Sequence, residues 1–283
     1  MPELAEVELA RRLWLPAEGE ILQTVDTHPR TRIYRDTPAS AIEKRLKGAR
    51  LVASRSHGKR LLFIFTREAL SLPLEIHLGM SGRLQLAPQD HDPHKHDHLI
   101  LRTSNFSLVF NDYRQFGRAH LHEEPNPWEH LPPEILSRSF TLAYIEEKLK
   151  KRARTNLKAL LLDQNAFPGI GNWMADEICW RLRLHPATPT AELNAEALRN
   201  ETRWVTKGAL RHVADKNQNL VGQVDKGFSP GSYVAQVPPA SWLFQHRWTK
   251  GGTCPRCRTD LERATIAART TAWCPACQPF NKK

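Results

Sequence analysis

The sequence predicts an α+β chain of two domains, an N-terminal antiparallel β-sandwich with flanking helices followed by a C-terminal helical bundle and a short β-hairpin. Three observations carry this. Short runs rich in Val, Ile, Leu and Phe at 20–28, 50–56, 59–66, 72–78, 82–87, 98–102 and 106–111 are punctuated by Ser56-His-Gly58, Gly79-Met-Ser-Gly82 and Thr103-Ser-Asn105, as strands joined by tight turns would be. The prolines of Glu123-Glu-Pro-Asn-Pro-Trp-Glu-His-Leu-Pro-Pro133 then forbid helix and central strand alike, so 123–133 is an extended linker. Beyond Glu134 the spacing turns helical, with segments near 141–151, 155–163, 172–183 and 191–215.

In chain order, Leu4, Val7, the stem of Arg11 and Trp14 share one face of a first helix, which Pro2 can open because its missing N–H has no partner there to lose. Pro16 and Gly19 stop it. Ala39 to Lys47 is a short helix ended by Gly48, and 217–250 is loop-rich, with Gly222, Gly227, Pro230, Gly231 and Pro238-Pro239. The expected division is 1–122, the linker 123–133, a helical domain at 134–221, a loop region at 222–245 and a closing segment at 246–283. No internal repeat or low-complexity tract interrupts it.

Lys and Arg total 41 against 30 Asp and Glu, a formal +11 that favours a polyanionic partner. A solvated basic surface is the plainer alternative. No run approaches the ~18 apolar residues of a membrane span, and no charged-then-apolar leader is present, so a reducing cytoplasm is expected. Cys254-Pro-Arg-Cys257 and Cys274-Pro-Ala-Cys277, sixteen residues between the inner cysteines, fit one structural Zn2+ held by four thiolates across a β-hairpin. Two disulfides are the alternative. Cys179 stands alone and reads as a small buried apolar residue.

The first eight residues carry the chemistry. If Met1 is removed, Pro2 supplies a secondary α-amine, and an α-amine of pKa roughly 8 is partly uncharged and nucleophilic near neutral pH. It can attack a sugar C1′ or a carbonyl to give an iminium, while Glu3 or Glu6 on the same helical face moves the proton. The bland alternative is that both glutamates only complement the helix dipole.

Met-Pro-Glu-Leu-Ala-Glu-Val-Glu8 resembles the Met-Pro-Glu-Leu-Pro-Glu-Val-Glu opening of the formamidopyrimidine-DNA glycosylase / endonuclease VIII family, with Ala5 at the family's second proline. Other stretches resemble its motifs in family order. Ser56-His-Gly-Lys-Arg-Leu-Leu62 is similar to the strand bearing the family's catalytic lysine, which implies Lys59; on residues alone it guards a sheet edge. Ile76-His-Leu-Gly-Met-Ser-Gly82 and Asp112-Tyr-Arg-Gln-Phe-Gly117 are similar to the loops that fill the space left by an extruded base, implying Met80, Arg114 and Phe116 as wedges. Core packing is the alternative for Met80 and Phe116. Tyr113 stands where a proline is usual and Gln115 where a second arginine is common.

Lys95-His-Asp-His98 implies a DNA contact at His96, although His94, His96 and His98 alone read as a second metal set or solvated loop histidines. Phe167-Pro-Gly-Ile-Gly-Asn-Trp-Met-Ala-Asp-Glu177 resembles the second half of the family's helix-two-turn-helix, implying Asn172 as a phosphate donor with Lys158 and Arg154 as companion cations; unaided, it is a helix cap. Arg269-Thr-Thr-Ala-Trp-Cys274 resembles the family's finger hairpin and implies Arg269 as a phosphate ligand that assists δ-elimination; unaided, it is an exposed arginine. Ser229-Pro-Gly-Ser-Tyr-Val-Ala-Gln236 resembles part of the lesion-recognition loop.

The resemblance implies a bifunctional DNA glycosylase and abasic-site lyase of base excision repair. Pro2 forms the Schiff base, Glu3 protonates the opening sugar, Glu6 supports it, and Lys59 and Arg269 serve β,δ-elimination. The implied partner is double-stranded DNA with damaged bases or abasic sites, met by a monomer at the bacterial nucleoid. Leu4, where the endonuclease VIII branch often has glycine, favours oxidised purines (8-oxoguanine, formamidopyrimidines) over oxidised pyrimidines. A non-catalytic DNA-binding zinc-ribbon protein is the rival from another class.

Overall fold

The structure is a computed structural model and describes residues 2–28, 30–224, 237–248 and 250–280. Short apolar strands joined by tight turns build the first unit, Met1–His130 with Ala214–Ala235. Its strands are β1 (Thr24–Thr27), β2 (Arg50–His57), β3 (Arg60–Arg67), β4 (Leu70–His77), β5 (Arg83–Pro88), β6 (Asp97–Arg102), β7 (Phe106–Asn111) and β8 (Arg118–Leu121). They form two four-stranded sheets, ordered β2-β3-β4-β8 and β1-β6-β7-β5, with every pairing antiparallel. Leu61, Phe63 and Phe65 of β3 meet Leu99, Leu101, Leu108 and Phe110 of β6 and β7 in one core, while the intervening Ile100 and Val109 join Ala87 in a separate cluster. Each such Leu or Phe contributes about 1.5–3 kcal/mol by leaving water.

Helix α1 (Leu4–Leu13) lays Val7 and Ala10 on this core, with Trp14 beyond its end, and the indole N–H of Trp14 donates to the Gln85 carbonyl at 3.0 Å. The guanidinium of Arg11 is drawn to Glu8 and to the Ser54 hydroxyl at 2.9 Å. Helix α2 (Ala39–Leu46) buries Ile42 and Leu46 in the same core. Strand β8 is the element the pattern hid: four residues after Gly117, with only Ala119 and Leu121 buried, are too few to show alternation.

The second unit, Leu131–Val213 with Gln236–Lys283, is helical. It holds α3 (Leu142–Lys151), α4 (Leu157–Leu162), α5 (Asn172–Leu182) and α6 (Ala195–Ala209). Thr141, Asn156 and Asn194 cap α3, α4 and α6 by accepting from the backbone three residues on. The expected helix over 191–215 is therefore divided, because a cap at Asn194 starts α6 afresh after a 3-10 turn at Thr190–Glu192 and a π turn follows at Leu210–Asp215. Helix α5 buries every residue from Trp173 to Trp180 and is the unit's centre. Strands β9 (Glu262–Ile266) and β10 (Arg269–Trp273) pair antiparallel in the C-terminal hairpin. Among the described residues no helix is long and apolar enough to cross a membrane.

Candidate active site and nucleic-acid interface

At the N-terminus, half-buried Pro2 precedes Glu3, which caps α1 in extended conformation and is 2% exposed. Glu3 and Glu6 form a capping box: the Glu3 side chain takes the Glu6 amide, and the Glu6 carboxylate takes the Glu3 amide at 3.2 Å. The Glu3 carboxylate is thus held by the Glu6 backbone amide, and the Glu3 backbone by the Glu6 carboxylate. Ala5, the departure from the family opening, is fully buried, and its small side chain suits that helical position. Glu8 then fastens α1 to β2, accepting from Arg11, from Arg12 and from the Ser56 hydroxyl at 2.8 Å. Burial raises the Glu8 pKa, but those hydrogen bonds outweigh it and hold the group at about 2.

Lys59 lies in the two-residue turn between β2 and β3 rather than on the strand expected from position 59, and it is half-buried. His77, at the end of β4, accepts the Gly79 amide at 3.0 Å through Nδ1. Burial first, then the positive charges of Arg60, Lys59 and Arg118, lower its pKa, so a neutral ring makes that contact.

Met80 (40%), Tyr113 (58%) and Phe116 (51%) are exposed, which excludes core packing for both wedge candidates. Two loops present them. A Cβ on Gly79, whose φ is +62°, would lie 2.4 Å from the Phe116 carbonyl carbon, so only glycine lets the loops touch there. Fully buried Asp112 ties them together by accepting from the Ser81 hydroxyl, from the Gly117 amide at 2.7 Å and from the Arg114 amide at 3.3 Å. The Arg114 guanidinium sits 4.8 Å over the Phe116 ring. The expected trio is therefore assembled on one rim.

The histidines divide. His94 is exposed, and half-buried His96 meets Tyr113 edge-on at 6.4 Å. His98 is buried and bonded through Nε2 to the Asp112 carbonyl at 2.9 Å, which corrects its reading as a solvated loop residue. Among the described residues the only group placed to hold a metal is the four cysteines.

In the second unit Asn172 opens α5 and donates its side-chain amide to the Thr270 carbonyl at 2.8 Å, bringing it beside exposed Arg269 at the start of β10. Asp176, one turn further and fully buried, gathers Lys158, the Arg247 guanidinium (Nε at 2.9 Å) and the Ala272 amide at 3.2 Å. Lys158 is 0% exposed and also donates to the Asn172 carbonyl at 2.8 Å. The implied companion cation is thus buried, paired with Asp176, and bonded to the Asn172 backbone that it helps position. Arg154 is exposed in the α3–α4 turn, while neighbouring Arg152 pairs with Asp163 at 2.6 Å.

The sulfurs of Cys254, Cys257, Cys274 and Cys277 all lie within 4.8 Å of one another, with closest separations of 3.9, 3.4 and 3.5 Å. Thiolates about 2.3 Å from a tetrahedral zinc stand roughly 3.8 Å apart, so the set fits one structural zinc with no open position. Trp180 of α5 donates its indole N–H to the Cys254 sulfur at 3.3 Å, and Arg256 stacks on that indole at 4.2 Å. Cys179 is buried and outside the cluster, as expected.

Comparison with known proteins places this arrangement. The profile of the formamidopyrimidine-DNA glycosylase N-terminal domain matches residues 1–119, that of the formamidopyrimidine-DNA glycosylase H2TH domain matches 131–216, and that of the zinc finger found in FPG and IleRS matches 251–279. The formamidopyrimidine-DNA glycosylase of Chloroflexus aurantiacus is 34% identical over 98% of each chain. The chain belongs to the formamidopyrimidine-DNA glycosylase family. The enzyme of that name from Carboxydothermus hydrogenoformans is 32% identical over 98% of this chain and all of that one. A Lactococcus lactis family member crystallised with DNA containing an oxidised pyrimidine superposes with a TM-score of 0.83 at 25% identity, over 99% of this chain and 100% of that one. The same enzyme with DNA containing a formamidopyrimidine gives 0.82, at 25% identity over 98% and 100%.

Within this family member, three acidic residues escape sequence reasoning. Glu8 locks α1 to β2, Asp112 ties the wedge loops, and Asp176 joins α5 to the finger hairpin. Only Asp112 left a signal, as an Asp opening a turn. The partners of Asp176 lie 18 to 96 residues away and no local pattern names them.

Proposed function

We propose that the protein is a bifunctional DNA glycosylase and abasic-site lyase of base excision repair. One observation carries the reading: likeness to formamidopyrimidine-DNA glycosylases over the whole length, retaining an opening in which Pro2 is followed by a buried Glu3 held by Glu6. With Met1 removed, the Pro2 nitrogen bonds to C1′ of the damaged nucleotide while the C1′–base bond breaks. Glu3 gives a proton to O4′ as the sugar ring opens, leaving an iminium whose C2′ proton is acidic. Loss of that proton expels the 3′-phosphate, and a second elimination expels the 5′-phosphate. Lys59 and Arg269 bind the phosphates or move protons in these steps, and Glu6 orients Glu3.

Met80, Arg114 and Phe116 fill the space vacated by the extruded base, and His96, Arg154 and Asn172 contact the DNA backbone. Oxidised purines are the favoured lesions, on Leu4 where the endonuclease VIII branch often has glycine, with oxidised pyrimidines second; the Lactococcus lactis relative has been crystallised with DNA carrying each kind. In this reading the chain divides as 1–122, 123–133, 134–221, 222–245 and 246–283. Half of the lesion loop at 222–245, including Ser229 to Gln236, lies outside the described residues. The enzyme works in the cytoplasm, at the nucleoid.

The test is borohydride trapping and strand scission on a duplex with 8-oxoguanine opposite cytosine beside one with dihydrouracil. Covalent capture that vanishes when Met1 is retained or Pro2 is acetylated supports the reading. Binding without scission of either duplex favours the non-catalytic rival, and scission that survives acetylation of Pro2 overturns the Schiff-base mechanism.

A further inference from the structure

Beside the wedge lies a recess of about 410 Å3 lined by Arg32, Tyr34, Arg35, Arg114, Gln115 and Phe116. Three guanidinium groups share it. Neither Arg32 nor Arg114 has an ion-pair partner among the described residues, and Asp36, next in sequence to Arg35, is turned to Arg118 at 3.3 Å. The recess is built from both sides. The Gln115 side-chain carbonyl accepts the Arg32 amide at 3.1 Å, and Arg35 donates to the Gly117 carbonyl at 3.0 Å and to the Arg32 carbonyl at 3.0 Å. Gln115 takes a φ of +55°, a left-handed conformation costly for a side-chain-bearing residue, and its bond to Arg32 offsets that cost. An arginine at 115 offers no acceptor for this bond. The loop thus gives up a cation at 115 and gains Arg32, fixed alongside it.

Three unneutralised guanidinium groups around one concavity repel one another until an anion enters, and their planar forks match phosphate oxygens. We propose that this recess is a phosphodiester subsite, in which Arg32, with Arg35, binds one backbone phosphate of the DNA that runs past the wedge. It rests on the DNA-repair reading and adds to it the position of one phosphate. Arg35 is partly committed to the loop, so exposed Arg32 is the residue to test.

The experiment measures binding of the zinc-loaded full chain to an abasic-analogue duplex across a salt series, for the wild type, Arg32→Ala and, as an exposed control, Lys44→Ala. Loss of one phosphate contact lowers the magnitude of the log K against log salt slope by about 0.9, and Arg32→Ala is expected to show that drop with several-fold weaker binding while Lys44→Ala does not. A scan of single methylphosphonate substitutions identifies the phosphate: one position that weakens the wild type should leave Arg32→Ala unaffected. The subsite is overturned if Arg32→Ala keeps the wild-type slope or is sensitive at every position where the wild type is. A wild type that does not cut damaged duplexes at all overturns the function reading instead.

Discussion

Glu75 shows what one carboxylate does for the first unit. It is 1% exposed and accepts from Arg60 at 3.0 Å, Arg118 at 3.2 Å and the Trp128 indole at 2.6 Å, with His122 at 3.5 Å. Burial raises its pKa, but the nearby His122 ring, the hydrogen bond from Trp128 and the charge of Arg60 bring it down from 4.5 to about 2. A depressed carboxylate contributes stability that is complete above pH 4.5 and lost as pH falls toward 2. Glu75→Gln should therefore cost about 3 kcal/mol at pH 7 and almost nothing near pH 2. Urea titrations of both proteins at the two pH values decide it, and an equal deficit at both would assign the loss to packing. Asp176→Asn should cost more, about 3–5 kcal/mol in the same assay, because Lys158 and Arg247 stay buried without their counter-charge. A loss below about 1 kcal/mol would mean both cations find water. At this scale the Glu3–Glu6 capping box is legible in the sequence because its partners are three residues apart. Asp176 is not, since a lone Asp inside an apolar helix looks like a mistake until distant donors converge on it.

The elements were readable in proportion to their length. Strands β2 to β7 each span six to eight residues and show as runs rich in Val, Ile, Leu and Phe bounded by turns, whereas four-residue β8 and the break at Asn194 depend on a sheet edge and a cap. The finger hairpin is legible for a different reason, because metal geometry dictates cysteine spacing whatever the fold around it. What spacing cannot tell is how the hairpin is held. Trp180 reaches from α5 to the Cys254 sulfur, and Arg256 covers the indole, so the helix and the metal cage share a hydrogen bond. Such outer bonds steady a metal ligand and typically change metal affinity by about 10-fold or more. Trp180→Phe should keep the apolar packing, lose that bond, and release zinc to a chromophoric chelator several-fold faster with unchanged far-UV circular dichroism. An unaltered release rate would leave Trp180 as packing alone.

At the scale of the whole chain, the formal +11 and the chemistry at Pro2 make separate demands on the solvent. Each phosphate engaged by Arg or Lys releases counterions, so affinity for duplex must fall steeply with salt. In the proposed mechanism bond-making at C1′ depends on an uncharged amine and a carboxylate held by its own capping box, neither of which salt displaces. Raising salt from about 50 to 200 mM should therefore weaken duplex binding by at least about 100-fold, consistent with a handful of phosphate contacts. Under single-turnover conditions with enzyme in excess over its dissociation constant at each salt, strand scission should change by less than about 2-fold. Quenched-flow scission and fluorescence-anisotropy binding on the same lesion duplex separate the two quantities. If affinity stays flat while scission falls, the positive charge serves stability or solubility rather than DNA binding. The bond-breaking step would then depend on exposed ion pairs instead of on the buried glutamate behind the N-terminal proline.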